Sequence, residues 1–151
     1  MKIAIGADAA GYLLKEKIKE HLKARGEEVI DFGTDSEASV HYPIYGYKVA
    51  KCVSDKGADF GILICGTGIG MSMVANKVRG VRAACVSEHF SAKATRLHNN
   101  ANVLCLGERV IGAGLALELV DLFLDTPSEG GRHAMRVDMI SAVEDGTFSA
   151  E

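Results

Sequence analysis

The sequence predicts an α/β fold: a three-layer α/β/α sandwich around a five-stranded parallel sheet, Rossmann-like, in the order 2-1-3-4-5. Three observations carry that expectation. Short apolar runs alternate with longer segments of helical periodicity along the chain, and strands separated by helices need crossover connections, which make a sheet parallel. The run Phe60–Cys65 (FGILIC) carries no charge, the pattern of a strand covered on both faces. The 151 residues contain no linker, internal repeat or low-complexity stretch, which suits a single domain over 1–151. The order 2-1-3-4-5 is the usual one for this element count.

Each element has its own signature. Lys2–Gly6 reads as the first strand. In Tyr12–Arg25, Leu14, Ile18 and Leu22 recur at helical spacing with charges between them, and Gly26 stands where a helix ends. Glu28–Phe32 is the second strand. Pro43 opens a helix running to about Asp55, since proline suits a first helical turn. Phe60–Cys65 is the third strand, followed by a glycine-rich turn and a helix to about Lys77. Val81–Val86 is the fourth strand and Glu88–Leu97 a helix. Asn102–Leu106 is the fifth strand, Gly112–Leu124 an apolar helix, and about 131–145 a last amphipathic helix. Ligands of such sheets bind beyond the carboxyl ends of the strands. The loops of interest are therefore Gly6–Gly11, Cys65–Gly70, Ser87–His89, Gly107–Gly112 and the segment before the last helix.

Composition removes several function classes. A net charge of −3 gives no general attraction to nucleic acid or to an anionic membrane. No apolar run reaches the length of a membrane span, and the N-terminal residues do not form a signal peptide. Cys52, Cys65, Cys85 and Cys105 include no C-x-x-C pair, so free thiols and a cytoplasmic setting are expected. No close Cys/His pairs suggest zinc. No cofactor and no metal are expected.

Four features carry chemistry. The first is Cys65-Gly66-Thr67-Gly68-Ile69-Gly70, between a buried strand and a helix. Its glycines let backbone N–H groups converge on an anion, and the helix start adds positive dipole. The spacing is neither the dinucleotide pattern nor a Walker loop. Cys65 is either a buried structural cysteine or, beside those N–H groups, a thiol with a lowered pKa. Cys52, Cys85 and Cys105, within a helix and two strands, read as structural.

The second feature, His98-Asn99-Asn100 at the end of a helix, is expected to face the carboxyl edge of the sheet. It is either a helix C-cap or an acid–base group. The third is basic: Arg109 after the fifth strand, then Arg132 and Arg136, four apart on one helix face behind Gly130-Gly131. The pair is either a solvated charged face or a phosphate clamp. The fourth is Asp8 after the first strand, suited to cap a helix, to orient sugar hydroxyls, or both. His21 and His89 read as surface residues, and His41 stands just before a helix start, within possible reach of the site.

Taken together, Gly6-x-Asp8-x-Ala10-Gly11, Tyr42-Pro43, Ile64 through Gly70, Ala75-Asn76-Lys77, His98 through Val103 and Gly130-Gly131-Arg132-His133 closely resemble the ribose-5-phosphate isomerase B family, which also holds the galactose-6-phosphate isomerase chains. The resemblance runs in order along nearly the whole chain. It implies aldose–ketose isomerisation through a cis-enediolate without cofactor. It makes Cys65 the base, His98 the ring-opening group and the Gly66, Gly68, Ile69 and Gly70 backbone the enediolate cradle, with a hydroxyl contact from Thr67. It gives Asn99 to the sugar or enediolate, and Arg132 and Arg136 with Arg109 to the phosphate. It implies sites shared between subunits of a homodimer or a dimer of dimers.

Two positions depart from the family's usual pattern. Ala9 stands where typical members carry histidine, and His41 stands where many carry aspartate or another polar residue. The expected substrate is ribose 5-phosphate, with a hexose 6-phosphate or a tetrose phosphate as alternatives. A non-catalytic sugar-phosphate-binding protein is the alternative of another class. A nucleotide- or flavin-binding module finds no support in the loop spacing.

Overall fold

The structure is a computed structural model describing all 151 residues, Met1–Glu151. Five parallel strands form one sheet: β1 (Lys2–Ala7), β2 (Glu28–Asp31), β3 (Phe60–Cys65), β4 (Ala83–Cys85) and β5 (Val103–Gly107). Six α-helices accompany them: α1 (Tyr12–Ala24), α2 (Tyr42–Ser54), α3 (Ile69–Ala75), α4 (His89–Asn99), α5 (Ala113–Asp125) and α6 (Gly131–Asp145). A 3₁₀ turn over Ala9–Gly11 leads into α1.

The strand order is β2-β1-β3-β5-β4, not the expected 2-1-3-4-5. Burial explains the exchange of the last two. Every residue of β5 is buried, so it needs neighbours on both sides. The three-residue β4 is only partly covered and ends in an exposed cysteine. A short strand with open flanks belongs at an edge. The helices lie on both faces and split the core in two. One layer joins Leu14, Ile18 and Leu22 of α1 to Phe123 of α5 beneath Ile62 and Leu104. The other joins Val49 and Val53 of α2 to Met71 of α3 beneath Leu63 and Val103.

Local signals act as the sequence suggests. Gly26 takes φ +83° just after α1. Leu14, Ile18 and Leu22 are buried on that helix, and so, unexpectedly, is Lys15. Its ammonium bonds both Asp31 oxygens, at 2.9 and 2.7 Å, tying α1 to the end of the edge strand β2. No helix is long and apolar enough to cross a membrane.

Candidate active site

The carboxyl edge of the sheet gathers one set of expected residues. Cys65 ends β3, 6% exposed, with its Sγ facing the loop that follows. Gly68 N–H donates to that Sγ at 3.1 Å. Gly68 holds φ +79°, and a Cβ there would sit 2.9 Å from the backbone of Leu106. Only glycine closes this turn without strain. The loop is stitched to the one after β5, because Cys65 C=O accepts Glu108 N–H at 2.9 Å and Gly66 C=O accepts Arg109 N–H at 3.1 Å. A side chain at Gly107 would collide with the Thr67 backbone at 2.7 Å, so the two loops touch main chain to main chain.

Around this loop stand the remaining groups of that edge. Asp8 accepts Gly11 N–H at 3.1 Å and caps the 3₁₀ turn. Its own N–H donates to Ile64 C=O at 3.3 Å, pinning the turn to β3. The Arg109 side chain passes over Gly66, with the Ala10 methyl on the same side. Thr67 is exposed, and its hydroxyl accepts Ile69 N–H at 3.2 Å. The Tyr42 ring lies against Gly70, which sets the neighbouring His41, exposed at the start of α2, close to this edge. Cys85 corrects the structural reading of its thiol: it is exposed, and its Sγ reaches Thr67 C=O at 3.5 Å. Burial nevertheless pushes the Cys52, Cys85 and Cys105 thiols above the ordinary range.

His98 and Asn99 do not face this edge. The expectation followed the family of loops at the strand ends, but α4 is a crossover helix running antiparallel to the strands. It starts beyond β4 and returns to the start of β5, so its last turn lies at the amino edge. There Arg82, just before β4, donates from Nε to the carbonyls of Asn99 and Asn100, each at 3.1 Å. Asn100 ends the helix at φ 45°. The sheet's length, about 17 Å along β3, separates Cys65 from this end within one chain.

Arg132 and Arg136 join the His98 end. Their helix packs on α4, and the two rings of His98 and His133 stack with centroids 4.3 Å apart and planes 15° off parallel. Glu129 N–H donates to Leu97 C=O at 3.0 Å, fixing the approach to α6. Both arginines are exposed and form no ion pair within the chain. The sequence marks His133 only as part of the Gly130-Gly131-Arg132-His133 match, with no role, and does not mark Glu129. The ring after Gly130-Gly131-Arg132 was the available clue, since it falls on the inner side of an otherwise exposed helix. His133 Nε2 is buried and lies 3.1 Å from Glu129 Oε2, without a hydrogen-bonding angle. His98, Glu129 and His133 offer three possible metal-ligand atoms within 4.8 Å of one another.

The chain thus carries two candidate half-sites. One, with Asp8, Cys65, Thr67, the Gly66–Gly70 backbone and Arg109, offers a thiol, an N–H cradle and a cation. The other, with His98, Asn99, Arg132 and Arg136, offers a proton carrier, an amide and a two-pronged cation.

Comparison with known proteins gives a consistent result. A family model described as Ribose/Galactose Isomerase matches residues 3–140. The chain is 50% identical over 143 residues to ribose-5-phosphate isomerase B of Escherichia coli, covering 95% of this chain and 96% of that one. It is 44% identical over 145 residues to a D-erythrulose-4-phosphate isomerase of Pectobacterium atrosepticum, covering 95% of each. A solved structure of Clostridium thermocellum ribose-5-phosphate isomerase B superposes with TM-score 0.96 at 53% identity, over 97% of this chain and 99% of that one.

Proposed function

The chain belongs to the ribose/galactose isomerase family, and from that premise we propose that it interconverts ribose 5-phosphate and ribulose 5-phosphate with Cys65 as the base. The observation that carries the mechanism is the Gly68 N–H aimed at Cys65 Sγ at 3.1 Å, inside a loop of main-chain donors. A thiolate at the mouth of such a loop is held where it can reach a C–H bond, and the same donors receive the charge that leaves it.

The steps follow from these placements. His98 gives a proton to the ring oxygen, solvent takes the proton of the anomeric hydroxyl, and the bond from C1 to the ring oxygen breaks as the C1 carbonyl forms, which opens the sugar. Cys65 Sγ takes the proton from C2, and the C–H electron pair becomes the C1=C2 bond. The carbonyl π electrons move onto O1, where the Gly66–Gly70 N–H groups and Thr67 stabilise the enediolate. The O2 proton passes to O1, and Sγ–H returns its proton to C1, leaving the C2 ketone. No cofactor enters this balance. Asn99 and Asp8 hold hydroxyls. Arg132, Arg136 and Arg109 hold the phosphate, because guanidinium forks match its oxygens.

Since Cys65 and His98 lie at opposite ends of the sheet, a working site needs Cys65 of one copy and His98 of another. The surface suits that pairing. Met135, Met139, Ile140 and Val143 of α6 are exposed beside the His98 half, and Ile69, Met73 and Val110 are exposed beside the Cys65 half. A two-fold axis that lays α6 on the latter patch buries both patches twice, completes two sites and makes a homodimer.

A second reading keeps the mechanism and changes the sugar. Ala9, in the turn beside Asp8, offers only a methyl where typical members place a donor, which leaves room for a longer or differently held substrate such as a hexose 6-phosphate. The deciding experiment is turnover of ribose 5-phosphate, allose 6-phosphate, galactose 6-phosphate and a tetrose phosphate by the purified protein and by Cys65→Ala. Cys65-dependent turnover of the pentose supports the first reading, and turnover restricted to another sugar supports the second. Phosphate-sugar binding without any turnover favours a non-catalytic role.

A further inference from the structure

At the amino edge of the sheet, where β3, β4 and β5 begin, lies a cavity of about 490 Å³ that contains no member of either half-site. Two arginines, Arg82 and Arg96, line it. Arg96 is 7% exposed. Its Nε donates to Thr126 C=O at 3.2 Å, and its Nη1 to Asn100 Oδ1 at 2.9 Å and Ala101 C=O at 2.6 Å. It lies over the rings of Phe60 and Phe123, 4.7 and 5.6 Å from their centroids. Arg82 uses Nε and Nη2 on the carbonyls of Asn99 and Asn100.

Tying the end of α4 to the end of α5 accounts for those contacts and leaves one nitrogen of each group, Arg96 Nη2 and Arg82 Nη1, with no partner in the chain. Neither arginine pairs with a carboxylate, although Arg96 is buried and Arg82 half-buried. Burial, with Arg82 beside it, pushes the Arg96 guanidinium down from its usual range. Burial does the same to Arg82, opposed by the Glu144 carboxylate, which lines a neighbouring pocket with it. Lys56 adds a third cation to the lining, and Asn100 and Asn102 add amides. The one lining carboxylate, Asp59, already accepts Lys2 N–H at 2.8 Å.

We infer that this cavity is a second anion site, taking the phosphate group of a small phosphorylated molecule between Arg82 and Arg96. A phosphate supplies acceptors for the two free guanidinium nitrogens and further counter-charge to a lining whose three cations, Lys56, Arg82 and Arg96, outnumber the Asp59 carboxylate. The site does not depend on the reaction proposed above. It touches that reaction through Arg82 and Arg96, which also hold the α4 turn bearing His98 and Asn99. A ligand that fixes the guanidiniums therefore stiffens that turn.

The test is a titration of the protein with inorganic pyrophosphate, followed by NMR of the arginine Nε–H signals and of the backbone amides. Saturable shifts of Arg82 and Arg96 are expected. They persist in Arg132→Ala/Arg136→Ala and weaken about tenfold in Lys56→Glu. The exposed Lys56 side chain makes no hydrogen bond, so its exchange leaves α4 capped, as Arg82→Gln would not. Absence of saturation at the two guanidiniums up to about 10 mM overturns the inference. So do shifts that vanish in Arg132→Ala/Arg136→Ala, because they trace binding to the sugar-phosphate clamp.

Discussion

In the proposed reaction the Cys65 sulfur carries the migrating proton, while the Asp8 carboxylate of the same half-site is engaged in capping the 3₁₀ turn. Burial pushes the other three thiols up, so none of them competes as a thiolate at neutral pH. Cys65→Ala is therefore expected to lower kcat by roughly 10²–10⁴-fold while binding of the sugar phosphate, measured by calorimetry, stays near its original strength. Removing a group that acts only in the transition state has that signature. Retained turnover would take the base role away from Cys65. Ala9 tests the substrate at the same scale. Its methyl lies in the turn that Asp8 caps, so Ala9→His adds a donor beside the sugar without breaking that cap. The ratio of kcat/KM for ribose 5-phosphate over a hexose 6-phosphate is expected to rise roughly tenfold. An unmoved ratio would dissociate this position from sugar choice.

At the scale of elements, the α1–β2 contact makes stability depend on acid. Lys15 is fully buried, and it and Lys19 bond Asp31 at the end of β2. Burial by itself raises the Asp31 carboxyl, but the bonds from Lys15 and Lys19 and from Gly33 N–H outweigh it and hold the group below the usual range. A carboxyl depressed in the folded state stabilises the protein above its unfolded pKa, about 3.9. That contribution fades as pH falls through the lower folded value. Urea midpoints are expected to drop below about pH 4. In Asp31→Asn the protein should lose ~1–3 kcal/mol at neutral pH and show a flatter acid limb; an unchanged acid limb would exclude this cluster as its source. This ion cluster was not legible in the sequence. Lys15 falls one position beyond Leu14 on a helix whose apolar stripe is otherwise clear, and only the approach of β2 buries it. The glycine loop was legible, because a charge-free strand followed by closely spaced glycines has few other uses. Strand order was not, since it depends on how completely β5 is covered compared with the three residues of β4. The position of His98 was misread for a directional reason: the sequence marks the end of α4 but not which edge of the sheet a returning helix reaches.

At the scale of the whole molecule, the separation of Cys65 from His98 makes a strong claim about assembly. If each site takes Cys65 from one copy and His98 from its partner, a Cys65→Ala subunit still lends a good His98, and a His98→Gln subunit still lends a good Cys65. In a mixed dimer one site then receives both defects and the other receives none. Random reassortment makes half of the dimers mixed, so two impaired proteins, co-refolded in equal amounts, should recover about a quarter of the original turnover. Neither protein alone should approach that value. If each site were built within one chain, every site in the mixture would keep one defect, and mixing would recover nothing. The same experiment with Met139→Asp in both chains should abolish the recovery together with the dimer in sedimentation, because a charge on the exposed face of α6 prevents the contact that brings the halves together. Recovery that survives in sedimenting monomers would refute the shared site, whatever the sugar proves to be.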